Sequence, residues 1–158
     1  MGAAPRRQSS LALVNLHSGE VMTPRPRTPH AFDGKGYTLE SIGSEVPLYA
    51  LGLTGTQWAL LDWVREHGGA SAPVRLKPAD VAPEIHSTEG TVKSSLSRLV
   101  ALNLLLKTSP RSAAYQLTPR RYWEGSGSTQ VTACRRIDPP AVAPDAKART
   151  KPRSGETS

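Results

Sequence analysis

Apolar side chains change their spacing several times along this chain, and each change marks a predicted element. Within residues 54–67, Trp58, Leu60, Leu61, Trp63 and Val64 form a broad apolar side at helical spacing. Thr54-Gly55-Thr56-Gln57 places a capping hydroxyl three residues ahead of a glutamine, and Gly68-Gly69 follows, so a helix is expected between those signals. Residues 73–76 read as a short strand. Pro78 opens a short helix in which Val81 and Ile85 share a face, and Pro83 inside it removes a donor and limits it to barely two turns. His86-Ser87-Thr88 forms a turn. Ser87 or Thr88 then caps a longer helix through Leu102, with Val92, Leu96 and Leu99 at i, i+4 and i+7. Asn103 suits the left-handed position that ends a helix.

Residues 104–108 and 114–117 read as two strands joined by Ser109-Pro110-Arg111-Ser112-Ala113, a turn with an exposed arginine at its tip. Thr118-Pro119 repeats the cap-then-proline signal and predicts about one turn of helix over 120–124 before Gly125. Upstream, residues 11–16 and 21–23 flank His17-Ser18-Gly19-Glu20 as a short hairpin would. The alternating prolines of 24–29 make a linker, although an Arg-Pro run also suits a narrow minor groove. Residues 37–53, broken by Gly43, Pro47 and Gly52, predict short helical pieces over a core.

The order of these elements predicts a mainly α fold with a small β wing, a winged helix-turn-helix over 37–125. A flexible arm, 1–36, precedes it. Residues 126–158 hold only Val131, Ile137 and Val142 as larger aliphatics. Ordering a residue costs roughly 1 to 2 kcal/mol of backbone entropy, so a disordered basic tail is expected there.

Composition sharpens the functional reading. The chain has 158 residues and a formal charge of +7. Residues 1–103 carry ten Lys and Arg against nine Asp and Glu, whereas residues 104–158 carry ten against four. The excess begins where the wing begins, which points to a polyanionic partner. A lone cysteine, Cys134, allows no internal disulfide and fits a reducing cytoplasm, and no apolar run is long enough to span a membrane. No phosphate-binding glycine loop is present, and His17, His30, His67 and His86 are scattered without metal-ligand spacing. The expectation is therefore a protein that is not an enzyme, needs no cofactor, and works in the cytoplasm.

If Val92, Leu96 and Leu99 face inward, the helical period turns Glu89, Lys93, Ser94 and Ser97 outward, with Arg98 at the edge. Lys93 can donate to guanine or phosphate. Thr91, Ser94 and Ser97 can donate or accept, and Glu89 can accept from cytosine or repel phosphate. Ser87 and Thr88 stand at the helix start, where base edges are met first. A merely solvated face has the same composition, and the basic wing beside it is what favours DNA. Lys107, Arg111, Arg120 and Arg121 are expected to hold phosphates, which supply affinity and register rather than sequence discrimination.

Several of these residues resemble the RepL type of plasmid replication protein. They are Gly19-Glu20 after a short apolar strand, Leu53-Thr54-Gly55 before the first firm helix, Thr91-Val92 with Leu96 and Leu99, and the run from Tyr115-Gln116-Leu117-Thr118-Pro119 to Trp123-Glu124-Gly125. The likeness is strong over about half the chain and loose over most of 11–125. It implies an initiator that binds double-stranded origin DNA and recruits host replication proteins without cutting DNA. Pro83, Thr118 in place of an asparagine, and the long tail depart from that pattern. The same core also resembles MarR-like transcription regulators, so a regulator remains the alternative, and a homodimer is compatible with either.

Overall fold

The computed structural model describes residues 13–14, 21–22, 36–42 and 46–149, and the chain divides into two units, Met1–Gly34 and Lys35–Ser158. In the first unit β1 (Leu13–Val14) pairs antiparallel with β2 (Val21–Met22), Leu13 opposite Met22. The expected turn between them and the proline-rich linker of 24–29 lie outside the described residues.

The second unit contains four helices and small antiparallel sheets, an arrangement compatible with a mainly helical domain bearing a small wing. Helix α1 (Gly55–Glu66) starts on the expected box. The Thr54 hydroxyl accepts from the Gln57 amide at 3.3 Å, and the Thr54 amide donates to Gln57 Oε1 at 2.9 Å. Helix α2 (Pro78–Glu84) is seven residues long, and Pro83 near its end is tolerated because so little helix remains beyond it. Helix α3 (Glu89–Ala101) is capped by Thr88, whose hydroxyl accepts from the Thr91 amide.

These three helices stop in the same way. Gly68, His86 and Asn103 each take a positive φ, of 85°, 52° and 61°. In each case the next amide reaches back five residues: Gly69 to the Val64 carbonyl, Ser87 to Ala82, and Leu104 to Leu99. The left-handed residue turns the chain sharply and satisfies carbonyls that the helix end leaves open. At His86 this produces the turn between α2 and α3.

Strands β4 (Val74–Arg75), β5 (Leu105–Lys107) and β6 (Ala114–Leu117) form one antiparallel sheet in the order β4-β6-β5. Leu60 and Val64 of α1, Val81 of α2, and Val92, Leu96 and Leu99 of α3 close on Leu76, Leu105 and Leu117 in one core. Fully burying a side chain of this size contributes about 1.5 to 3 kcal/mol, so tertiary packing holds these short elements.

Two expectations are corrected. Residues 120–124 form no helical turn of their own. The i→i−4 bond from Tyr122 to Thr118 closes one tight turn, and β7 (Tyr122–Trp123) then pairs antiparallel with β3 (Leu39–Glu40). The partner strand lies some eighty residues earlier, and a local cap signal cannot reveal it. Accordingly, the described residues of 37–53 supply that strand and a 3₁₀ turn, Leu48–Leu51.

The second correction concerns the expected disordered tail. Helix α4 (Gly127–Ile137) is capped by Ser126 and tied down by Gln130, which donates to the Pro119 carbonyl at 2.7 Å. Beyond it, residues 138–149 run as a strap across the domain. Asn103 donates to the Ala141 carbonyl, Ala143 to Leu102, and Arg149 to Ala50, while Val142 and Ala148 pack on the core. The groups that order the strap belong to the domain, and their hydrogen bonds and packing add to what the tail's few aliphatics supply. Residues 150–158 lie outside the described residues.

Candidate nucleic-acid interface

With Val92, Leu96 and Leu99 buried, α3 exposes one narrow strip. Glu89 and Thr91 are exposed at its start, and its centre consists of Gly90, Lys93, Ser94, Ser97 and Ala101. Apart from Lys93 the central side chains are small, and the serine hydroxyls already have a backbone acceptor: Ser94 donates to the Thr91 carbonyl and Ser97 to that of Lys93, both at 3.0 Å. Each hydroxyl oxygen keeps lone-pair capacity for an incoming donor. Lys93 sits 2.5 Å from Glu89 one turn earlier, with both side chains at least half exposed. Such a pair contributes little to stability and is easily exchanged for another anion. Thr88 and Thr91 are exposed at the helix start, their hydroxyls 2.8 Å apart. Ser87 is half-buried in the turn, and its amide is used there.

One flank of the strip is formed by the β5–β6 hairpin. Lys107 donates to the Pro110 carbonyl at 2.9 Å and lies 5.5 Å from the Tyr115 ring centroid, which stiffens the hairpin. Thr108 and Ser112 join hydroxyls at 2.7 Å, leaving Arg111 exposed at the tip. Between α3 and the hairpin is an open concavity of about 400 Å3, lined by Pro78, Lys93, Leu96, Ser97, Val100, Lys107 and Tyr115. Burial pushes the Tyr115 phenol above its ordinary pKa. Gly90 and Ala101 carry no signal of their own in the sequence. They mark themselves only by smallness on the exposed side of the helical period.

Arg98 is a different case and is corrected here: it is a structural residue, 9% exposed, not a groove-facing one. Its Nε and Nη2 donate to the two Asp145 oxygens at 2.8 and 3.0 Å. Nη1 donates to the Gly52 carbonyl and to Gln57 Oε1, both at 2.8 Å, and Nη2 also to the Leu51 carbonyl at 2.7 Å. All five guanidinium N–H groups are thereby used. Arg98 holds Asp145 well below the carboxylate range, at about 2. The helical projection put Arg98 at the edge of the exposed strip, and its acidic partner lies in the strap.

Arg120 and Arg121 are also drawn into the scaffold. Arg120 Nε donates to the Pro139 carbonyl and so pins the start of the strap, although the residue remains exposed. The Arg121 side chain is largely buried and pairs with Glu40 at 3.3 Å, next to Tyr122. Burial, and secondarily Glu40, pushes Tyr122 up to about 12.

Of the expected site, the structure brings together Thr88, Glu89, Thr91, Lys93, Ser94 and Ser97 on α3, with Lys107 and Arg111 on the adjoining hairpin. Such an arrangement can offer donors and acceptors at close range and positive charge beside them. Among the described residues no cluster of His, Cys, Asp and Glu could hold a metal ion, and no helix is long and apolar enough to cross a membrane. No protein-family model matches the chain, and comparison with curated proteins and with solved structures found no match.

Proposed function

We propose that this protein binds double-stranded DNA as a winged helix-turn-helix, with α3 as the reading helix and β5–β6 as the wing. The observation that carries this reading is the exposed strip of α3, which follows the tight His86 turn and lies beside the basic hairpin. A helix with its side chains is about 10 to 12 Å across and the major groove about 12 Å wide, so the groove admits it, and a strip of small residues lets its backbone approach the base edges closely. Gly90, Ser94, Ser97 and Ala101 form such a strip. Lys93 and the serines read base edges, and Arg111 with Lys107 holds the phosphate backbone.

The resemblance to RepL makes initiation of plasmid replication, with recruitment of host replication proteins, the use we put first. The antiparallel pairing of β1 with β2 supports that choice. A transcription regulator would use the same surface on another site. Fluorescence anisotropy with a duplex of about 30 base pairs tests the contact. Binding should weaken with salt, and Arg111→Gln should reduce the log–log salt slope by about 0.9, the share of one phosphate. A parental slope in that variant, or no salt-dependent binding at all, refutes the reading. Persistence of an origin-less plasmid supplied with this gene and its flanking DNA then separates initiator from regulator.

A further inference from the structure

The strap gives the reading helix a second flank. On α3, Leu96 and Val100 border the hairpin concavity, whereas Arg98 and Leu102 meet the strap through Asp145 and Ala143. At 100° per residue the strip of Gly90, Ser94, Ser97 and Ala101 falls between these two edges. The strap therefore lies on the side of the strip opposite the hairpin.

Its position there is built in. Gly52 has φ 63°, and a Cβ on it would come within 2.5 Å of the Lys147 carbonyl oxygen, so only glycine admits the strap at that point. The Lys147 amide donates to Asp145 Oδ1 at 3.0 Å and the Arg149 amide to the Ala50 carbonyl at 2.6 Å. With the backbone fixed, Lys147 and Arg149 are both exposed. Asp145, the acid nearest them in sequence, is neutralised by Arg98. This flank consequently carries net positive charge, as the hairpin flank does.

We propose that Lys147 and Arg149 form a second phosphate-binding ridge, which holds the backbone on the side of the groove opposite the one held by the hairpin. The inference rests on the DNA-binding reading above. Its geometric basis is that the strap and the hairpin border opposite sides of the strip, and a major groove about 12 Å wide has a phosphate backbone along each side.

The test compares full-length protein with Lys147→Gln/Arg149→Gln, titrated against a mixed-sequence duplex of about 30 base pairs over about 50 to 200 mM salt. The exposed side chains can be replaced without unfolding, which a melting curve verifies. The salt slope should fall by about 1.8, and affinity near 0.1 M salt by tens of fold. Adding Arg111→Gln should lower the slope by about a further 0.9, because separate phosphates are held. Arg135→Gln/Arg136→Gln on α4 removes the same charge elsewhere and should leave the slope at its parental value. An unchanged slope in Lys147→Gln/Arg149→Gln overturns the proposal, as does an equal fall in the α4 variant, which would make the effect one of net charge. If the parental protein binds and Arg111 contributes while the strap pair does not, only this inference fails. Absence of parental binding removes the DNA reading itself.

Discussion

Replacing Arg98 with methionine removes one guanidinium from the place where α3, the start of α1 and the strap meet. The stem volume is kept, so the loss is polar rather than a cavity. The Leu51 and Gly52 carbonyls lose this donor, while Gln57 Oε1 loses one of two and keeps the Thr54 amide. Leaving a buried acceptor without a partner costs about 1 to 3 kcal/mol, and removing one member of a buried ion pair costs about 3 to 5 kcal/mol in all. Asp145 is part-exposed and recovers water, so the lower end of that range applies, roughly 3 to 4 kcal/mol. Against a total stability of about 5 to 15 kcal/mol this is a large share. For a domain of this size it corresponds to a fall in melting midpoint of roughly 10 to 20 °C, read by circular dichroism. A midpoint within about 2 °C of the parent would refute the hub assignment, since that is less than 1 kcal/mol.

Two further predictions use the shifted acids. Tyr122 is raised to about 12 by burial, so the unfolded chain ionises from about pH 10 while the folded chain does not; roughly 2 to 3 kcal/mol of stability should drain away between those values, and Tyr122→Phe should flatten that part of the urea-unfolding profile. A steep decline that persists in Tyr122→Phe would assign it to another group. Asp145 is lowered to about 2 by its hydrogen bonds from Arg98, so its contribution is present above the ordinary 3.8 and is lost as pH falls through about 2. Amide protection at Ala143 and Arg149 should decline over that window before protection in α3 does. Equal persistence of both would contradict the role of the Arg98–Asp145 pair in holding the strap.

Much of the local structure was legible because its causes are local. The Thr54 to Gln57 box, the Thr88 cap and the Asn103 stop each lie within a few residues of what they control, and all three are found in the structure. The pairing of β7 with β3 and the ordering of residues 138–149 depend on partners some eighty and some forty residues away. Arg98 shows the consequence for the site. Helical phase places it at the edge of the exposed strip, and one distant carboxylate decides that it turns inward. His86 was read as part of a turn, yet nothing in its neighbourhood announced that a histidine would occupy the left-handed position glycine usually takes.

The central claim is that the exposed strip of α3 reads bases. It is tested most directly by selecting duplexes from a random pool with the parental protein and with Lys93→Ala/Ser94→Ala in parallel. The account predicts an enriched consensus for the parent, altered in the variant at one or two neighbouring base pairs, with each lost contact relaxing discrimination by about 1 to 3 kcal/mol. Failure of the parent to enrich any sequence, or recovery of the same consensus at undiminished strength by the variant, would contradict it.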